Sequence, residues 1–146
     1  MYQYKAKITR IIDGDTVDCD IDLGFKVILA KQRIRLYGID TPESRTRDKV
    51  EKKYGLLAKK FLVDFIEAED YQITLETAKG SGRGKFGRIL GKIINKDGQC
   101  ANDIMCQEGH AVPYHGQSKE DIAAEHIKNR QIVNSSMDDS ENFPYA

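Results

Sequence analysis

The sequence predicts an α+β domain, and three patterns carry that expectation. Residues 16–22 alternate, with Val17, Cys19 and Ile21 on one side and Thr16, Asp18, Asp20 and Asp22 on the other, which is the period of a strand with one wet face. Val50, Tyr54, Leu57, Ala58, Phe61, Leu62, Phe65 and Ile66 recur at spacings of three and four, the stripe of a helix packed on a core. Strand-like runs lie on both sides of that helix, and two shorter helical patterns close the order.

Taken in order, β-branched residues dominate Lys5 to Ile12 and predict a first strand. Asp13-Gly14-Asp15 is a hairpin turn leading into the alternating second strand. Leu23-Gly24 turns the chain into a long third strand, Phe25 to Tyr37, which ends at Gly38-Ile39-Asp40-Thr41-Pro42-Glu43. Ser44 to Asp48 is polar and basic without an apolar anchor, a loop, and Asp48 can cap the helix that follows. Tyr71 to Glu76 and Arg88 to Asn95 read as two more strands around a glycine-rich stretch. Lys96-Asp97-Gly98 is a tight turn, and a short helix from Asn102 to Glu108 stops at Gly109. Ser118 with Asp121 opens a last helix reaching about Gln131. Five strands with a helix between the third and fourth fit a small Greek-key barrel of the oligonucleotide-binding type, although the pattern alone does not fix the topology. The domain is expected to span residues 1–133, with residues 134–146 a disordered tail that lacks periodicity.

Composition narrows the class. The chain has 146 residues, 40% of them hydrophobic, enough for one modest core without disulfides. No apolar run approaches the ~20 residues of a membrane span. Met1 to Lys5 lacks the charged start and apolar block of a signal peptide, which predicts a cytoplasmic protein with no membrane partner; a secreted mature form is the alternative. Cys19, Cys100 and Cys106 are an odd set without a C-x-x-C pair, so reduced thiols are expected rather than a disulfide framework or zinc ribbon. Net charge is zero, but residues 1–60 carry 14 Lys/Arg against 9 Asp/Glu, a front half that can attract phosphates.

The residues with chemistry punctuate the strand ends. Asp13 and Asp15 bracket a turn, Arg35 lies near the end of the third strand, Asp40, Thr41 and Glu43 follow it, and Arg88 begins the strand after the glycine-rich loop. Carboxylates on turns can converge on a hard cation that takes oxygen ligands. Planar guanidinium groups suit phosphate, and a carboxylate off the metal can activate water. Together these are the parts of a phosphodiester hydrolase. Each piece alone has a bland reading: Asp-Gly-Asp as a turn, Asp-Thr-Pro-Glu as a cap and loop, Arg35 as a surface charge.

On these residues the chain resembles the staphylococcal nuclease (thermonuclease) family. The resemblance rests on Ile12-Asp13-Gly14-Asp15-Thr16-Val17, on Arg35 through Glu43 and on Lys85-Phe86-Gly87-Arg88, with a weaker match at Val50-Glu51-Lys52-Lys53-Tyr54-Gly55. It covers roughly Lys5 to Gln131. It implies a barrel carrying a Ca²⁺-dependent endo- and exonuclease, with one ion. By matching position, Asp15 and Asp40 are expected as direct Ca²⁺ ligands and Thr41 as a ligand through its backbone carbonyl. Glu43 is expected to orient or deprotonate the attacking water, Arg35 and Arg88 to clamp the scissile phosphate, and Asp13 to stand behind the metal ligands. The family cuts the bond to the 5′ oxygen and leaves 3′-phosphates. Phe86 replaces a frequent family tyrosine and keeps only a ring for stacking; Tyr114 stands near the place of a family aromatic that faces the nucleotide. Expected substrates are DNA and RNA, single strands preferred because aromatic surfaces stack unpaired bases, and the protein is expected to act as a monomer.

Competing readings are weighed on the same residues. Gly82 to Gly87 matches G-x-G-x-x-G, but strand-like residues follow, so no helix N-terminus awaits a pyrophosphate. His110, His115 and His126 lack paired ligand spacing and read as surface or packing residues. A non-catalytic nucleic-acid- or protein-binding module on the same fold is the alternative function. The presence of Asp15, Arg35, Asp40, Glu43 and Arg88 together favours the enzyme, since the site and not the fold decides.

Overall fold

The computed structural model describes residues 2–78 and 89–138. These form seven strands and three helices: β1 (Gln3–Asp13), β2 (Thr16–Asp22), β3 (Ile28–Leu36), β4 (Ile39–Asp40), α1 (Lys49–Glu67), β5 (Gln72–Thr77), β6 (Ile89–Ile94), α2 (Ala101–Gln107), β7 (Val112–Pro113) and α3 (Lys119–Asp138). Five strands close a barrel in the order β1-β2-β3-β6-β5. Its pairs are antiparallel except β3 with β6, where Ile34, Arg35 and Leu36 run alongside Ile89, Leu90 and Gly91. The expected α+β fold with a five-stranded barrel and three helices is therefore present. Among the described residues no helix is long and apolar enough to cross a membrane.

The alternation of β2 does what its period requires. Val17, Cys19 and Ile21 are buried inside the barrel with Ala6, Ile8, Ile34, Leu36, Ile73, Leu75 and Ile93. Helix α1 covers one end through Ala58, Leu62 and Ile66, and α2 adds Ala101 and Met105. Asp48 caps α1 as expected, its Oδ1 accepting from the amides of Val50 (3.0 Å) and Glu51 (3.2 Å). Buried Asn102 of α2 ties β6 to the turn after β3: it accepts from the Ile93 amide (3.2 Å) and donates to the Tyr37 carbonyl (2.9 Å). All three cysteines are free thiols, and burial pushes Cys19 up to about 12.

Three expectations need correction. The third strand begins at Ile28, not Phe25, because the hairpin closes later: Leu23 N donates to Val27 O, and Gly24, Phe25 and Lys26 all take positive φ. A two-stranded sheet of β4 with β7, absent from the expected order, pairs Ile39 with Pro113 and Asp40 with Val112. Helix α3 runs to Asp138, past the expected end at Gln131 and through residues 134–138 of the expected tail. Val133 packs with Tyr54 and Leu57 of α1, and the Tyr54 hydroxyl donates to Asn134 Oδ1 (2.7 Å), so tertiary contact extends the helix beyond its apolar signal. Residues 139–146 lie outside the described residues.

Candidate functional site

The site is built where two turns meet the N-terminal half of α1. The turn between β1 and β2 carries Asp13, Gly14 and Asp15, and β4 leads into Thr41, Pro42, Glu43 and Ser44. Small residues on α1 let both segments approach. A Cβ added to Gly55 would lie 2.4 Å from the backbone C and O of Glu43, a distance no side chain can occupy. A Cβ on Gly14 would lie 3.0 Å from Ala58 Cβ and 3.1 Å from Thr41 Oγ1. Ser44 Oγ then donates to Asp13 Oδ1 at 2.7 Å, joining the two segments directly. Thus Gly55, which sequence reading quoted only as part of a weak match, fixes where Glu43 leaves the helix surface.

Strand pairing brings Arg35 to the same place. Thr16 is the Cα partner of Arg35, so the guanidinium group lies beside the turn that ends in Asp15. Arg35 Nη1 lies 3.2 Å from Asp15 Oδ2 and Nη2 lies 3.5 Å from Asp40 Oδ1. Two carboxylates, one from the β1–β2 turn and one from β4, thus share one arginine. Asp15 also accepts from the Thr16 hydroxyl (3.0 Å) and the Thr41 amide (3.3 Å). Burial nevertheless raises the Asp15 carboxyl above its ordinary value; Arg35 opposes this, while the neighbouring charges of Asp13 and Asp40 add to it.

Of the expected site residues, Asp13, Asp15, Arg35, Asp40 and Thr41 are gathered in this cluster. Glu43 is adjacent along the chain with an exposed side chain. Tyr114 is half-exposed at the end of β7, its amide donating to the Gly38 carbonyl at 2.8 Å, two residues from Asp40. Phe86 and Arg88 lie outside the described residues; the next residue after Arg88, Ile89, pairs with Ile34.

The contact of His126 with the cluster was not legible in the sequence. This α3 residue, read as surface or packing, is buried with its Nε2 2.8 Å from Asp40 Oδ2. A signal existed: Ile122, His126, Asn129 and Val133 share one face of α3 at helical spacing. Asn129 on that face donates to the Ala111 carbonyl at 3.0 Å.

The cluster suits a hard cation by its donors, all of them oxygen. Carboxylates outnumber the arginine, and Thr41 Oγ1 is buried without a partner among the described residues. No group of three or more His, Cys, Asp or Glu side chains is arranged to hold a metal among the described residues. Any ion here would have two side-chain carboxylates and complete its shell from backbone carbonyl and water, as Ca²⁺ and Mg²⁺ do.

Comparison with known proteins gives the same direction. Residues 33–135 match the family described as staphylococcal nuclease homologue. The chain is 25% identical over 117 residues to endonuclease YhcR of Bacillus subtilis, covering 77% of this chain and 9% of that protein. It is 32% identical over 106 residues to endonuclease YncB of B. subtilis, covering 71% of this chain and 45% of that protein. It is 28% identical over 109 residues to an uncharacterized endonuclease of Escherichia coli, covering 75% and 60%. The chain therefore spans from under a tenth to about three-fifths of the length of these relatives.

Proposed function

Because this chain belongs to the staphylococcal nuclease homologue family, we propose that it is a Ca²⁺-dependent nuclease that hydrolyses phosphodiester bonds of single-stranded or loosened DNA and RNA. The observation that carries the reading is the sharing of Arg35 by Asp15 and Asp40, at 3.2 and 3.5 Å. Carboxylates crowded in this way need more positive charge than one guanidinium supplies, and an anionic phosphodiester needs the same charge near its phosphorus. The names of YhcR and YncB as endonucleases support the class of reaction.

In this reading Asp15, Asp40 and the Thr41 carbonyl hold the ion, which supplies Lewis-acid stabilisation of the phosphoryl oxygens when bound. Asp13 keeps the two segments in register through Ser44 and Gly14. Glu43 takes a proton from water, the water oxygen attacks phosphorus, and the 5′ oxygen leaves with the bonding pair and takes a proton from solvent water. The product is a 3′-phosphate and a 5′-hydroxyl. Arg35 and Arg88 offset the charge that accumulates on the equatorial oxygens, a contribution of ~10²–10³-fold for one such donor. Tyr114 and Phe86 offer faces for unpaired bases, which gives the preference for single strands.

Digestion of single-stranded DNA with Ca²⁺, with a chelator and by Glu43→Gln tests the proposal. Cutting should require Ca²⁺ and fall at least ~10²-fold in the variant. Chelator-resistant cutting, or a fully active variant, would refute it, and binding without cutting would favour a non-catalytic module.

A further inference from the structure

We infer that His126 is a positioning residue for Asp40, holding its carboxylate in the orientation that receives the cation; this rests on the proposed Ca²⁺ site. The two residues are 86 apart in sequence, and their contact joins α3 to β4. The His126 side chain is 9% exposed, and its Nε2 lies 2.8 Å from Asp40 Oδ2. A carboxylate only accepts, so the ring carries its proton on Nε2. Its Nδ1 has no partner among the described residues, leaving Asp40 as the polar contact that orients the ring.

The geometry at Asp40 divides the work. Arg35 approaches Oδ1 from β3, and His126 holds Oδ2 from α3. The ion pair at one oxygen is loose, at 3.5 Å, so the His126 contact at the other is the hydrogen bond that fixes the carboxylate plane, and each oxygen keeps a lone pair for another ligand. Asp40 sits on a strand of only two residues, so its backbone alone is a weak constraint. Donors behind ligating groups commonly set metal affinity, and their loss costs about 10–100-fold in affinity or activity. Helix α3, mostly polar, thereby becomes part of the site and not simply a cover for α1.

The test is calorimetric titration of the full chain with CaCl₂ and no substrate, beside thermal melts without metal. His126→Leu should bind Ca²⁺ about 10–100-fold more weakly than the parent. His126→Gln, whose amide can reach Asp40, should return to within a few-fold. At saturating Ca²⁺ the Leu variant should regain most of its cutting rate. If it does not fold, His126→Asn, too short to reach, takes its place against Gln. Parent-like Ca²⁺ affinity in the Leu variant, with or without a lower Tm, makes His126 a packing residue and overturns the inference alone. A Gln variant as weak as Leu also overturns it. If the parent itself binds no Ca²⁺, the proposed metal site fails and the inference fails with it.

Discussion

Two arginines stand two residues apart on β3, each facing aspartate, and their ion pairs behave oppositely. Asp18 and Arg33 are Cα partners on β2 and β3, as are Thr16 and Arg35. Arg33 meets Asp18 as a fork, Nε to Oδ1 at 2.9 Å and Nη2 to Oδ2 at 3.2 Å, with half of the arginine exposed. That bond to Arg33 holds the Asp18 carboxyl below its ordinary value. Arg35 is largely buried and divides itself between Asp15 and Asp40 at longer range. There burial outweighs attraction, and Asp15 is raised. One pair is saturated and wet; the other is buried and short of positive charge. Identical residue types become a surface ion pair or a buried, charge-deficient cluster according to burial and to the number of acids per arginine.

Exchanging the arginines for lysine should separate the pairs most widely. Lysine keeps the charge but loses the fork that spans two carboxylates. Arg35→Lys should lower the rate of single-strand digestion by ~10²–10³-fold, the loss typical of one preorganised donor. Arg33→Lys should leave that rate within two-fold, since its partner is not in the site. Equal losses in the two variants would mean that general surface charge, and not the buried cluster, supports cutting.

A smaller effect should come from the scaffold that buries one pair only. Gly55→Ala places a Cβ against the Glu43 backbone. Although alanine is the better helix former by about 1 kcal/mol, the overlap should lower unfolding free energy by ~1–3 kcal/mol in urea titrations. The displaced Glu43 should cost about 10²-fold in rate, because small misplacements of a reacting group are expensive. Unchanged stability and rate would show that the loop accommodates a methyl group and that the close approach is incidental.

The contrast also explains what the sequence could tell. Elements set by local pattern were legible: the turn at Asp13-Gly14-Asp15, the alternation of Val17, Cys19 and Ile21, the α1 stripe and its Asp48 cap. The residues Asp15, Arg35 and Asp40 were visible because short motifs place them at strand ends. Features created by distant contact were not. The pairing of β4 with β7 involves two residues on each side, too few for a period. His126 belongs to a helix whose buried face is partly polar, so no apolar stripe marks it. The end of α3 is held by Tyr54, eighty residues earlier in the chain. Nor does a linear pattern of charges reveal which of two Asp–Arg pairs is buried.

Burial should reverse the usual sign of an acid's contribution to stability. The folded Asp15 carboxyl is raised, so its favourable contribution exists only below the unfolded value near 3.8 and is lost as pH rises through the folded value. At neutral pH without metal, the ionised group therefore costs stability. Asp15→Asn should raise Tm at pH 7 by about 3 °C, the shift that ~1 kcal/mol gives in a chain of this size. The gain should vanish toward pH 3 and coincide with loss of Ca²⁺ binding. A lower Tm at pH 7 would mean that the Arg35 attraction exceeds the burial cost.

Asp18 should give the smallest effect and the opposite sign. Its folded carboxyl is lowered, so its contribution is present above the unfolded value near 3.8 and is lost as pH falls through the folded value. Asp18→Asn should therefore lower Tm at pH 7, and the difference should close as pH falls through the folded value. The pair is exposed, so solvent and salt screen it and the change should stay within about 2 °C. Melts in low and high salt should shrink the Asp18 difference further while the Asp15 difference persists, because the Asp15 penalty comes from burial and not from a screened attraction. Salt sensitivity of the same size in both variants would place both acids in water and remove the distinction between the two pairs.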